Sequence, residues 1–323
     1  MKKPIAIIAG EPNSISSEII FKSWQLRRKY THKPFLVIGS IHLLNLQKKK
    51  LKYRIKIKKI NNNFVSSEIN DSELPVYDVK YIQKKSFQEI SDISNKYIFR
   101  CFEVATNFIK KKKILGFINC PIAKEFLFKN KQQGITEFLA KKEDLKDNAV
   151  MLIFNRKLSV SPLTTHIPFS QINKKITKSK IIRKVKIIDN FYKKTFNKKP
   201  NIGILGLNPH NFTSTKKKEE KDIISPAIKA LKKSKIKVIG PLSPDTSFVI
   251  SKRYNLDVIL GMYHDQVLTP FKALFKYDAI NITLGLPYFR ISPDHGIAKN
   301  IIGKKIANPK SLIESIKFFN YVK

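Results

Sequence analysis

The feature that most constrains the fold is a recurrence of short, continuously apolar runs, each closed by turn residues and separated from the next by a longer segment with helical spacing. The first run, Ile5 to Ala9, ends at Gly10 and leads through Ser14 and Ser16 into a helical pattern. Comparable runs stand at Phe35 to Ile38, Pro75 to Val79, Ile114 to Asn119, Val150 to Phe154, Ile202 to Leu205, Lys237 to Ile239, Val258 to Met262 and Ala279 to Leu284. Helical spacing of apolar residues marks Ile93 to Ile109, Ile176 to Phe191, Asp222 to Leu231 and Ser311 to Phe319. A half-exposed strand alternates apolar and polar residues. One that is apolar at every position has to be covered on both faces, which a mostly parallel sheet between helices provides. The chain therefore reads as α/β. Residues 40 to 73 give no firm assignment, because lysines and asparagines blur the period.

The 323 residues suffice for about two domains. The formal net charge of +39 is of a size that suggests an anionic partner, yet only eight of the 63 basic residues are arginines. A lysine, asparagine and isoleucine surplus spread along the chain reads as solvated surface and not as a nucleic-acid footprint. The lysine clusters at 48–50, 110–113 and 216–218 fall where helices end or loops turn. Cys101 and Cys120 allow neither a disulfide framework nor a CxxC pair, which points to a reducing, cytoplasmic setting. The opening MKKPIAIIAGEP is interrupted too early for a signal peptide, and no run is long and apolar enough to suggest a membrane span.

None of the eleven glycines forms G-x-G-x-x-G or a P-loop. Three of the six histidines follow strand-like runs: His166 in SPLTTH, His210 in GILGLNPH and His264 in VILGMYHD. The carboxyl ends of parallel strands share one edge of a sheet, so imidazoles from distant positions can meet there around a divalent ion; each can equally be an ordinary loop residue. Asp245 and Asp265 either orient an imidazole or accept a proton, or else cap helices. Lys272, Asn281 and Arg290 add a cation, an amide and a planar cation suited to phosphate or carboxylate, Arg290 having a structural ion pair as its alternative.

At these residues the chain resembles the 4-hydroxythreonine-4-phosphate dehydrogenases of pyridoxal phosphate biosynthesis. The blocks are GEP at 10–12, NCPIAK at 119–124, TTHIP at 164–168, GLNPH at 206–210, GPLSPDTSF at 240–248, MYHDQ at 262–266 and NITLGLPYFRISPDHGIA at 281–298, in that order. The resemblance implies a metal-dependent homodimer that oxidises 4-phosphooxy-L-threonine with NAD or NADP to a β-keto acid, which decarboxylates to 3-amino-2-oxopropyl phosphate. It implies His166, His210 and His264 as metal ligands, with zinc foremost and cobalt or magnesium as alternatives. His264 is expected to come from the partner subunit, so that the active site lies at the interface. Thr136, Lys272, Asn281 and Arg290 match substrate-binding positions, and Lys272, Asp245 and Asp265 are the catalytic candidates. The partner is then a small phosphorylated substrate, with no specific nucleic acid and no membrane.

The fold implied is two α/β/α domains around a cleft, as in isocitrate and isopropylmalate dehydrogenases, which lack the classical Rossmann fingerprint. Residues 1–128 with 285–323 are expected to form the first domain, with the cofactor loop, and 129–284 the second, with the metal ligands and dimer contacts. In the segment 294–309, His295, Gly296, Ala298 and Asn308 are the cofactor candidates, the alternative being a helix-capping loop. The chain departs from the family at Ile135, where GITE stands for GHTE, at 211–218, which lacks the family's glycines, and at GEPNSIS. These departures keep two alternatives in view: a dehydrogenase of another four-carbon phosphorylated hydroxy acid, such as threonate or erythronate phosphate, and a basic nucleic-acid-binding protein on a decayed scaffold.

Overall fold

The computed structural model describes residues 3–69, 72–127, 134–145, 148–211 and 219–322; the boundary expected at 128/129, the lysines at 216–218 and most of the altered 211–218 stretch lie outside them. Among the described residues the strands are β1 (Ile5–Ile8), β2 (Phe35–Gly39), β3 (Ile57–Ile60), β4 (Leu74–Asp78), β5 (Gly116–Asn119) and β6 (Val150–Phe154). They continue with β7 (Ser159–Thr164), β8 (Ile202–Leu205), β9 (Val238–Leu242), β10 (Val258–Tyr263), β11 (Ile280–Leu284) and β12 (Phe289–Pro293). The chain divides into two compact units, residues 1–131 with 287–323 and residues 132–286.

In the first unit six strands run in the order β3-β4-β2-β1-β5-β12, every pairing parallel. All four residues of β1 are fully buried, so both of its faces are covered, as the unbroken apolar run requires. The helix Asn95–Lys110 buries Tyr97, Ile98, Cys101, Phe102, Ala105 and Phe108, a stripe at three- and four-residue spacing. Both cysteines are buried and free, and burial pushes both thiols up, which removes them as nucleophiles.

Directly after β1, the Glu11 carboxylate is 1% exposed and accepts hydrogen bonds from the Asn13 backbone N–H (3.1 Å) and the Ser94 hydroxyl (3.0 Å). Desolvation outweighs those bonds and raises its pKa above the ordinary 4.5. The folded state therefore binds this proton more tightly than the unfolded state does. Stability from Glu11 is complete below about pH 4.5 and declines as pH rises through the raised value. Glu11→Gln should melt above the wild type at pH 8, with the gap closing as pH falls toward 4.5. Parallel thermal melts across that range check this, and a gap independent of pH would refute it.

In the second unit the order is β11-β6-β7-β10-β8-β9. β7, β10, β8 and β9 are mutually parallel, while β6 runs antiparallel to both β7 and β11. The core gathers Met151, Ile153, Val160, Leu205, Ile259, Val267 and Phe271. β7 has the sequence SVSPLT, polar enough to hide it from a reading of apolar runs, yet it is buried throughout. Its polar groups have partners: Ser161 Oγ donates to Met151 O (2.7 Å), Tyr192 donates to Ser159 Oγ (3.0 Å), and buried Lys184 donates to Pro162 O (3.1 Å). No helix of the described residues is long and apolar enough to cross a membrane.

Candidate active site

Three adjacent parallel strands carry the three histidines at their carboxyl ends. β10 lies between β7 and β8, so the loops bearing His166, His264 and His210 leave neighbouring strands on one edge of the sheet. Within one chain the His166 and His264 rings lie 5.9 Å apart, tilted by 38°. Thr164 Oγ1 donates to Met262 O (2.8 Å) and fixes the two strand ends to each other just before both histidines. His166 and His210 adopt left-handed backbone, φ 44° and 51°.

Each of two imidazoles has a carboxylate beside Nδ1. His264 Nδ1 lies 2.8 Å from Asp265 Oδ1, and His210 Nδ1 lies 3.6 Å from Asp245 Oδ2. At 2.8 Å the Asp265 carboxylate keeps the proton on His264 Nδ1 and leaves Nε2 to face a cation, whereas Asp245, at 3.6 Å, stands beside His210 without hydrogen-bonding it. The Ser243 hydroxyl, at 2.6 Å, together with His210 holds the Asp245 carboxyl below its ordinary range. Thr246 and Tyr263 occupy the N-cap positions of the helices that follow, and Asp265 lies in the first turn of the second. His210, Asp245, Asn208, Tyr263 and Gln266 line a cavity of about 530 Å³, and the exposed Phe169 packs edge-on against Tyr263 at its side. Among the described residues, no group of three or more His, Cys, Asp or Glu side chains stands close enough to hold an ion within one chain.

The substrate candidates fall on both units. In the second unit Thr136, buried in the first turn of the helix Ile135–Lys142, shares a 3.1 Å hydrogen bond with Thr283, and Asn281 lies on the same face of β11 as Thr283. Asn281 Oδ1 is buried with no hydrogen-bond partner, an acceptor the protein itself leaves unused. Ile135 is 3% exposed, so the position that carries histidine in the family's pattern is here apolar and closed to solvent. Lys272 is exposed on the helix His264–Phe275. In the first unit Arg290 is buried in β12 and donates from Nε to Asn119 Oδ1 (2.8 Å).

The cofactor candidates form one loop of the first unit. Ala298 is left-handed at φ 50°, and His295 Nδ1 lies 3.2 Å from Gly296 O. Asn308 Oδ1 accepts from Lys310 N (2.9 Å), a local turn at the entry to the helix Lys310–Phe318. Buried Glu18 accepts from Ala307 N (2.7 Å), and Lys22 donates to Ala307 O (2.7 Å), which fastens the loop to the helix Ser16–Leu26. Thr283, Asn119 and Gln266 are not singled out by a reading of the sequence, because each works through a partner distant in the chain.

The family model for "Pyridoxal phosphate biosynthetic protein PdxA" matches residues 31–319. A 4-hydroxythreonine-4-phosphate dehydrogenase of Sulfurihydrogenibium sp. is 39% identical over 97% of this chain and 96% of its own. The crystal structure of 4-hydroxythreonine-4-phosphate dehydrogenase from Klebsiella pneumoniae superposes with a TM-score of 0.81 at 28% identity, covering 100% of both chains. Isocitrate dehydrogenase from Methylococcus capsulatus, at a TM-score of 0.50 and 10% identity over 100% of this chain and 86% of its own, shares the fold. With its histidine loops on one sheet edge and matches running nearly end to end, the chain belongs to the PdxA family of 4-hydroxythreonine-4-phosphate dehydrogenases.

Proposed function

We propose that this chain oxidises the secondary hydroxyl of 4-phosphooxy-L-threonine with NAD or NADP in a divalent-metal-dependent reaction. The β-keto acid formed then loses carbon dioxide and yields 3-amino-2-oxopropyl phosphate. The observation that carries this reading is the placement of His166, His210 and His264 on loops that leave three adjacent parallel strands at one sheet edge, with the His166 and His264 rings 5.9 Å apart. The donor set fits a divalent cation: three imidazoles, two of them with a carboxylate beside Nδ1. An all-nitrogen set favours zinc or cobalt over magnesium, which prefers oxygen ligands. A bound ion supplies Lewis acidity that makes the substrate hydroxyl easier to deprotonate.

The chain's own residues do the rest. Lys272 and Arg290 neutralise phosphate and carboxylate, and Thr136 and Asn281 bind substrate polar groups through the Thr136 hydroxyl and the unused Asn281 carbonyl. Asp265 holds the His264 imidazole in the ligating tautomer, and Asp245 places a negative charge beside His210. His295, Gly296, Ala298 and Asn308 hold the adenosine end of the dinucleotide, which supplies the hydride acceptor. A second copy of the chain completes the site with its own His264, and the compartment is the cytoplasm.

The test is reduced-nicotinamide absorbance on purified protein with 4-phosphooxy-L-threonine, NAD or NADP, and zinc or a chelator. Turnover that the chelator abolishes and zinc restores is expected. A metal-loaded, folded protein that turns over threonate or erythronate phosphate and not 4-phosphooxy-L-threonine would overturn the substrate assignment, and Ile135 is the residue that makes this second reading specific. For the cofactor loop, a Cβ on Gly296 would meet nothing within 4 Å. Gly296→Ala should therefore leave the unfolding midpoint unchanged, within about 0.5 kcal/mol, while raising KM for the dinucleotide. An unchanged KM would remove Gly296 from the cofactor site.

A further inference from the structure

The loop that carries His210 is held by two side chains from elsewhere in the sequence. Gln266, buried on the turn of helix that follows His264, accepts from Met262 N through Oε1 (2.6 Å) and donates through Nε2 to Gly206 O (2.8 Å). One amide end faces an N–H and the other a carbonyl, so the orientation of the side chain is determined. The same Gly206 donates its N–H to Leu242 O (2.9 Å), at the end of β9. Glu220, also buried, accepts from Leu207 N and Asn208 N, both at 2.9 Å, and from the Asn208 amide at 3.2 Å. The neighbouring Glu219 takes a further bond from that amide at 3.2 Å.

Backbone groups of residues 206–208 are thus met by Gln266 and Glu220, by Leu242 O and, at Asn208 O, by Asn211 N at 3.1 Å. Space enforces the same path, since a Cβ on Gly206 would lie 2.0 Å from Asn211 Oδ1 and 3.2 Å from Glu220 Oε1. Met262 O in turn receives Thr164, so a continuous chain of hydrogen bonds runs from the β7 end through β10 to the β8 loop. It joins the segments that bear His166 and His210, the two ligands one copy contributes, through the strand end that precedes its own His264.

We infer that Gln266 and Glu220 are positioning residues: neither is a ligand, and together they set the path of the GLNPH loop so that His210 is presented to the same ion as His166 of its own chain and His264 of the second copy. This rests on the metal reading above. A side chain that holds a ligand loop typically changes metal affinity by about 10- to 100-fold when removed. A residue that only stabilises the fold lowers the melting temperature and leaves the affinity of the folded protein unchanged.

The experiment is Co²⁺ titration of the purified full chain, followed by the visible d–d absorption of the bound ion. Gln266→Ala and Glu220→Ala should each weaken Co²⁺ binding about 10- to 100-fold and shift the d–d bands, with the far-ultraviolet circular dichroism retained. Glu220→Gln, which keeps an acceptor oxygen for the Leu207 and Asn208 N–H groups, should restore affinity to within a few-fold of the wild type. The inference is overturned if folded Gln266→Ala or folded Glu220→Ala binds Co²⁺ with wild-type affinity and spectrum. It is also overturned if Glu220→Gln is as weak as Glu220→Ala. Should Gln266→Ala fail to fold, the Glu220 pair decides alone. A wild-type spectrum unchanged by His210→Ala would refute the metal reading itself and this inference with it, an outcome distinct from the others.

Discussion

His264→Ala is expected to lower kcat/KM for 4-phosphooxy-L-threonine by about 10³-fold or more and to abolish metal binding, with the fold intact. On the proposed function, loss of a ligand removes the charge stabilisation that a bound ion would supply. The fold survives because the side chain lies at the surface: His264 is 36% exposed and its partner Asp265 79% exposed, so the substitution strands no buried charge. The variant also decides which chain supplies the ligand. If each site takes His166 and His210 from one copy and His264 from the other, an inactive His166→Ala protein mixed with an inactive His264→Ala protein regains activity. Random exchange makes half of the dimers hybrid, each with one intact site of two, so recovery should approach about a quarter of the wild type. If all three ligands belong to one chain, a hybrid has no intact site and the mixture stays inactive.

The contrast between β1 and β7 shows what a linear reading can reach. β1 is apolar at every position and buried at every position, so the sequence states its environment outright. β7 is equally buried, but its serines, threonine and proline are compensated by Met151, Tyr192, Lys184 and Met262, none of them adjacent in the chain. β3, with two lysines in IKKI at the sheet edge, is hidden for the opposite reason: it is half exposed and short. β12 sits inside a block read for its chemistry, where Arg290 draws attention away from the strand that holds it. For the site, each histidine is legible as a residue at a strand end. That β10 lies between β7 and β8 is a property of strand order, which depends on pairings across the chain, and it is this order that brings the three loops onto one edge.

Gly10→Ala is expected to cost about 2–5 kcal/mol, a large part of the stability of a domain of this size. Gly10 has φ +74°, where a side chain costs about 1–2 kcal/mol by itself. A Cβ there would also lie 2.4 Å from Pro121 O and 2.9 Å from Cys120 O. Those atoms are backbone, so they cannot swing aside as a flexible side chain would, and overpacking of this kind adds about 1–3 kcal/mol. Within the first unit the strain reaches Arg290, a substrate-binding residue on the proposed function. Pro121 O already accepts from Glu11 N (2.8 Å), and pushing the 119–121 segment outward moves Asn119, whose Oδ1 holds Arg290 Nε at 2.8 Å. Gly10→Ala should therefore lower the urea midpoint of the transition that includes the first unit, and raise KM for the phosphorylated substrate in whatever protein remains folded. Gly296→Ala, whose Cβ would enter open space, serves as the control for replacing a glycine as such. A Gly10→Ala midpoint equal to that of Gly296→Ala would mean that the 10–12 turn can relax away from β5, and that GEP does not fix the segment on which Arg290 rests.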